Sequence, residues 1–307
     1  MATLEIEKVD LASFCYLNKE RYPFLLESVN HNENNRYSIL FAFPEEKIVL
    51  RDFSDFIFLN ELENQLEPSN DNSNLPFTGG WFVYLSYELI GQIEPTLASK
   101  LHKSNIPIAY AVKIPSAVIT DHKLKKTFII DKDGNQTRVN KILSDIKALE
   151  NIPDKAINGK IKEENKKKFT DGVKSSLDYI VAGDVFQVNL SREWSYSLSS
   201  NQDSAIIYQK LKKANPAPFS ALIQYEDFSI ISSSPERLFS VNDGVLETRP
   251  IAGTHPRAKG HLDNTQKENL ISHPKEIAEH VMLLDLERND MGRVCEYGSV
   301  YVNEIMT

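Results

Sequence analysis

Between residues 36 and 134 the chain is a succession of short runs rich in β-branched and aromatic residues, each closed by a turn signal. They are "RYSILFAFP" (36–44), "KIVLRDF" (47–53), "GGWFVYLSYEL" (79–89), "IAYAVKIPSAVIT" (108–120) and "KTFIIDKDG" (126–134). Pro44, the run "EPSNDNSNLP" (67–76) and the pair Asp133–Gly134 punctuate them. Strands that return across turns pair antiparallel, so this stretch predicts a large, mostly antiparallel sheet. Helical periodicity over 56–66 and 139–150 adds helices outside it, and the fold class expected is α+β.

The segment "ENIPDKAINGK" (150–160), with Pro153 and Gly159, reads as a linker between an N-terminal lobe, 1–153, and a second lobe, 154–307. In the second lobe Phe169, Val173, Leu177 and Ile180 form a helical stripe that Gly183 ends. Strands are expected over 185–198, 219–234 and 237–253, with a helix near 203–214 and a tight hairpin turn at Asp243–Gly244.

Composition excludes several classes. A net charge of −8 over 307 residues argues against a dedicated nucleic-acid binder, which needs a concentrated basic surface. The one dense basic run, "KEENKKKF" (162–169), is broken by acids and reads as a solvated helix face. Cys15 and Cys295 are the only cysteines, without disulfide, zinc or redox spacing. No run approaches the roughly 18 apolar residues of a membrane span, and a cytoplasmic location is expected.

The stretch "HPKEIAEHVMLLDLERND" (273–290) carries chemistry. Ile277, Val281 and Leu284 recur at the spacing of a buried helical face, while Glu276 and Glu279 lie three apart near its start. Acids there complement the helix dipole, and they are equally the donors a hard cation such as Mg²⁺ prefers. Spacing alone leaves both readings open.

Five segments resolve more. "AGDVFQVNLSREW" (182–194), "NPAPFSALI" (215–223), "SSSPERLFSV" (232–241), "ETRPIAGTHPRA" (247–258) and "KEIAEHVMLLDLERNDMGRVCEYGSV" (275–300) together resemble the chorismate-utilising enzymes. These include the large subunits of anthranilate synthase and aminodeoxychorismate synthase. "FLLESVNHNENNRYSILFAFP" (24–44) and "LPFTGGWFVYLSYEL" (75–89) extend the likeness over most of the chain.

The resemblance implies that Glu279 holds Mg²⁺, with Glu276 as its neighbour, and that Glu236 is the acid that protonates the departing ring hydroxyl of chorismate. It makes Ala252, Gly253 and Thr254 of "PIAGT" the substrate loop, whose close backbone approach and exposed amides suit a carboxylate. His255 departs from the arginine usual after "GT". Gln187 stands where hydrating relatives place a lysine base. An amide cannot deprotonate water but can position ammonia, which points to amination. Taken singly, Glu236 reads as a surface glutamate beside a proline, Gln187 as a strand glutamine and "PIAGT" as an ordinary turn.

Two aminations compete. Ala252 replaces the lysine that some aminodeoxychorismate synthases use as a nucleophile, which favours anthranilate synthase or a route without a covalent intermediate. "GGWFVYLSYELIGQIEP" (79–95) and "NPAPFSAL" (215–222) favour aminodeoxychorismate synthase, the expectation adopted here. Leu26, Glu27 and Ser28 of "LLES" match a tryptophan pocket, regulatory or structural, and also read as a plain strand end. The resemblance further implies a glutamine amidotransferase partner as ammonia source; a non-catalytic module that docks this glutaminase or an aromatic amino acid is the alternative.

Family members continue beyond the point where this sequence stops, with a further metal-binding glutamate and cationic groups for the substrate carboxylates. The chain is therefore expected to be C-terminally truncated, with its fold incomplete there. Groups that act as a unit lose most of their rate when divided. Purified chain incubated with chorismate, Mg²⁺ and ammonium salt should show little or no turnover by product chromatography; robust turnover would refute this.

Overall fold

The computed structural model describes residues 1–30, 35–53, 55–67, 73–100, 105–199 and 203–306. Its first half contains β1 (Ala2–Ile6), α1 (Leu11–Leu17), β2 (Phe24–Glu27), β3 (Tyr37–Ala42), β4 (Lys47–Leu50), α2 (Phe58–Asn64), β5 (Gly80–Leu85), α3 (Ile90–Ile93), β6 (Ala109–Ile114), β7 (Ser116–Asp121), β8 (Lys126–Asp131) and α4 (Gln136–Lys147). The second half contains β9 (Gly159–Glu163), α5 (Lys166–Ala182), β10 (Trp194–Leu198), α6 (Ser204–Ala214), β11 (Phe219–Tyr225), β12 (Phe228–Ser234), β13 (Ser240–Asn242), β14 (Val245–Glu247), α7 (His261–Ser272) and α8 (Pro274–Gly292). The α+β class read from the sequence is the one observed.

Seven strands form the main sheet in the order β1-β8-β7-β3-β2-β11-β12, every pairing antiparallel. Side chains alternate between its faces. Leu25, Leu40, Val118, Ile129 and Leu222 join a core with α1, α4 and α6, built on Phe14, Val139, Ile142 and Tyr208. Their neighbours Phe24, Phe41 and Ile223 point the other way, onto the three-stranded sheet β4-β6-β5 through Phe82, Tyr110 and Val112. Stacked rings thicken that interface: Phe24 lies 4.1 Å from Phe82 and Tyr110 4.2 Å from Tyr225. Helices therefore cover one face of the main sheet and a second sheet covers the other. Because β11 and β12 follow the 150–160 linker, the sheet draws strands from both sides of it.

Local signals place the ends. Asn135, Asn165 and Asp203 accept backbone N–H bonds that start α4, α5 and α6. Gly183 takes a left-handed φ of 79°, and Asp184 N–H donates to Tyr179 O at 3.0 Å, closing α5 as expected. Asp243 and Gly244 both have positive φ, the type I′ geometry of a two-residue hairpin.

Other expectations need correcting. Only 194–198 of the 185–198 run is strand; Phe186, Gln187, Val188 and Leu190 lie exposed on an irregular segment, with no neighbouring strand to pair them among the described residues. The stripes of α5 and α8 are not buried: Leu177 is 56% and Val281 53% exposed, and neither helix has a fully buried residue. Those faces are covered only in part, with Phe169 under Arg192 and Ile277 and Leu284 half-buried, so the periodicity marks amphipathic helices without the full packing that usually goes with it. Residues 68–72 of the turn run at 67–76 lie outside the described residues. Helix α7 was not expected at all. Among the described residues no helix is long and apolar enough to cross a membrane.

Buried carboxylates tie the strands to α4. Asp131 accepts from Arg138 Nε at 2.6 Å and Ser116 Oγ at 2.6 Å, and Asp145 accepts from Tyr22 Oη at 2.8 Å and Arg21 at 2.6 Å. Burial alone would push Asp121, Asp131 and Asp145 up. The hydrogen bonds and charges of Arg36, Arg138, Tyr22, Lys141 and Arg21 outweigh it, and all three titrate below the usual carboxylate range. A group depressed on folding stabilises above its unfolded value of about 3.9, and that contribution is lost as pH falls through the folded value. Urea unfolding should therefore show stability dropping below about pH 4, and Asp131→Ala should remove about 1–3 kcal/mol at neutral pH by leaving the Ser116 hydroxyl and the Asp133 and Asn135 amides without their acceptor.

Candidate active site

The β13–β14 hairpin sets the register from which the site is built. Ser240 faces Glu247 and Asn242 faces Val245. Continued outward, this pairing puts Leu238 beside Arg249 and Glu236 beside Ile251. The contacts follow it: Ile251 N–H donates to Glu236 Oε1 at 3.2 Å, and Thr248 Oγ1 donates to Leu238 O at 3.2 Å. Ser234 holds the preceding turn, its hydroxyl donating to Glu236 O at 3.1 Å and accepting from Glu236 N–H at 3.3 Å. Two successive motifs on either side of the hairpin, "SPE" and "PIAGT", thus meet through one side chain.

The second meeting is with α8. A β-carbon on Gly253 would lie 1.7 Å from Glu276 Oε2, so the carboxylate occupies the space that glycine leaves. Pro274 begins the helix and Glu276 falls in its first turn, where unpaired N–H groups favour a negative charge. Glu279 follows one turn later, half-buried like Glu276. Ala252 is half-buried beside Gly253, while Thr254 is exposed. Two carboxylates on one helix suit a Mg²⁺ ion, which takes one or two and fills its other positions with water or substrate oxygens. Among the described residues no third acid, histidine or cysteine joins them.

Gln187 is not brought in. It sits exposed on the irregular stretch between α5 and β10, and no hydrogen bond links it to Glu236 or the 250–254 loop among the described residues. One carboxyl that the sequence reading passed over does approach. Glu287, on α8, lies beside Thr248 and feels the charge of Glu236. Its signal was available: eleven residues from Glu276 is about three helical turns, hence the same face.

Two strands in from β12, where Glu27 lies opposite Ser220 and Ser220 opposite Ser233, Glu27 and Ser28 line a cavity of ≈ 430 Å³ with Asp10, Ser38, His122 and Lys212. Leu26 does not line it; strand alternation turns that side chain away, 39% exposed. Glu27 accepts from Tyr208 Oη at 2.7 Å and from Lys212 Nζ at 2.8 Å. Ser28 Oγ donates to Tyr37 O at 2.9 Å. Burial opposes the Lys212 charge, but Glu27 and Asp10 prevail and hold it above the ordinary lysine value.

Residues 22–307 match the family described as chorismate binding enzyme. The chain belongs to this family. It is 37% identical over 254 residues to aminodeoxychorismate synthase component 1 of Bacillus subtilis, covering 78% of this chain and 54% of that protein. It is 32% identical over 293 residues to an anthranilate synthase component I-like protein of Synechocystis, covering 91% of this chain and 59% of that one. Anthranilate synthase component I from Streptococcus pneumoniae superposes with a TM-score of 0.74 at 27% identity, covering 91% of this chain and 66% of its own. The chain thus spans a little over half the length of the first two relatives.

The Gly253–Glu276 contact is testable without a substrate. Gly253→Ala should destabilise the chain by about 1 kcal/mol in urea unfolding, because only a flexible carboxylate must move. Glu276→Ala in the same chain should relieve it, giving a coupling of at least about 0.5 kcal/mol. Strict additivity would contradict the contact.

Proposed function

We propose that the chain is the chorismate-binding part of an aminodeoxychorismate synthase component I, which exchanges the ring hydroxyl of chorismate for an amine. The observation that carries this reading is the convergence of two carboxylates on one loop, Glu236 at Ile251 and Glu276 at Gly253, beside the start of α8.

The residues divide the work. Glu236, seated by the Ile251 amide at the open face of the hairpin, gives its proton to the hydroxyl, which departs as water with the ring C–O bonding pair. The backbone of Ala252 and Gly253 and the hydroxyl of Thr254 receive a substrate carboxylate. Glu279 and Glu276 hold Mg²⁺, which supplies a positive charge that neutralises and orients the substrate's carboxylate when bound. Gln187 positions ammonia, on a segment that must fold over the site to do so. A glutamine amidotransferase delivers the ammonia: neither Cys15, buried with its thiol pushed upward by that burial, nor Cys295 belongs to a nucleophile motif.

The product assignment is supported by the 37% identity to the Bacillus subtilis enzyme and by the "NPAPFSAL" and "GGWFVYLSYEL" segments. A second reading, anthranilate synthase, is favoured by Ala252 and by several relatives of that name. The cavity at Glu27 and Ser28 bears on both. Its paired Glu27 and Lys212 charges match the ammonium and carboxylate of a free amino acid, and tryptophan is the ligand proposed there.

Two measurements test the assignment. In protein extended to the relatives' length, chromatography should find 4-amino-4-deoxychorismate rather than anthranilate. Glu236→Gln should lower kcat by about 10²-fold or more with KM little changed. Calorimetry on the 307-residue chain should detect Mg²⁺ binding that Glu279→Gln weakens by at least about tenfold; equal affinity in both would remove Glu279 from the metal site.

A further inference from the structure

Glu236 and Glu276 hold the 250–254 loop near its start. The far end of the same loop has a holder of its own. Arg257 Nε donates to both carboxylate oxygens of Asp263, at 2.8 and 3.0 Å, and Nη2 of the same guanidinium donates to Oδ2. The Ala258 N–H donates to Asp263 Oδ1 at 3.0 Å. Gly260, at a left-handed φ of 63°, turns the chain back, and Asp263 N–H closes that turn on Gly260 O at 3.1 Å. One carboxylate in the first turn of α7 thus ties down a side chain and a backbone amide that precede it by six and five residues.

Acids from three elements therefore seat on the 251–258 stretch: Glu236 after β12 at Ile251, Glu276 of α8 at Gly253, and Asp263 of α7 at Arg257 and Ala258. Only Thr254, His255 and Pro256 lie between the last two seats. The ring of Pro256 fixes its own φ and restricts His255 before it. A span bounded in this way has few conformations left to lose when its backbone receives a ligand, which is the physical content of preorganisation.

The pair differs from an ordinary surface ion pair. The Asp263 side chain is only 22% exposed whereas that of Arg257 is 89% exposed, so the guanidinium comes to a shielded carboxylate. An isolated exposed pair contributes little, but a forked guanidinium contact joined to an amide bond fixes direction as well as distance. The same bonds hold the Asp263 carboxyl down at about 2, and the latch is charged at neutral pH.

We propose that Asp263 is a positioning residue of the substrate loop: through Arg257 and the Ala258 amide it fixes the end of the loop that presents Gly253 and Thr254 to the substrate carboxylate. This rests on the reading of 250–254 as that loop. The effect is on binding rather than on bond breaking, because a carboxylate held by loop amides is held in ground state and transition state alike.

Amide hydrogen exchange on the 307-residue chain reads the latch without a ligand. Asp263→Ala should speed exchange at Ala258 and across 251–257 by at least about tenfold, while residues 277–284 of α8 keep their rates. Asp263→Asn, whose carbonyl still accepts from Ala258, should do less, as should Arg257→Lys, which keeps a charge but loses the fork. In protein extended to the relatives' length, Asp263→Ala should raise KM for chorismate about tenfold or more with kcat within about threefold, and Asp263→Asn should recover part of it. Exchange indifferent to all three substitutions, or a fall in kcat at unchanged KM, overturns the proposal. Anthranilate as the product, with KM still raised by Asp263→Ala, would overturn the product assignment instead and support the latch.

Discussion

The pairing of β2 with β11 joins the two halves of this molecule. Leu222 lies opposite Leu25 and Ile223 opposite Phe24, one pair facing the helical core and the next facing the second sheet. Each register position therefore contributes to two apolar layers at once, and a slip by one residue would exchange them. Through β11 the chain reaches β12, the "SPE" turn and the hairpin, so the candidate site inherits its position from this joint. Elements beyond it rest on far less burial, since neither α7 nor α8 has a fully buried residue.

Much of this was legible in the sequence because its signals are local. Asn135, Asn165 and Asp203 stand before helices, Gly183 ends one, and Asp243–Gly244 closes a hairpin; in each case the residue's own side chain or φ preference decides the outcome. The strand runs of the first half were legible because their alternation is met by packing on both faces. The stripe of α8 was misread as a buried face for the complementary reason. Periodicity records what a helix could bury, and burial depends on a neighbour that no local pattern specifies.

The site divides along the same line. Glu236, Gly253, Glu276 and Glu279 were named from motifs, and for the first three the structure supplies contacts that motifs cannot. Glu236 meets Ile251 because of hairpin register, and Gly253 admits a carboxylate because it lacks a β-carbon. Gln187 was placed on a strand as part of the 185–198 run, but among the described residues no partner strand lies beside it. Glu287 escaped notice because only the acids near the start of the 273–290 stretch were read for metal chemistry, although its helical phase matches that of Glu276.

The two-residue turn at Asp243–Gly244 has a consequence for how such a chain tolerates change. With both φ angles positive and only two residues in the loop, the hairpin has no slack to absorb an extra residue. An insertion or deletion of one residue between Ser240 and Glu247 would leave the strands intact in composition. It would nonetheless invert which side chains look inward downstream, turning the partner of Glu236 from an amide of the loop to empty solvent. Length, more than residue identity, is what this turn must keep constant.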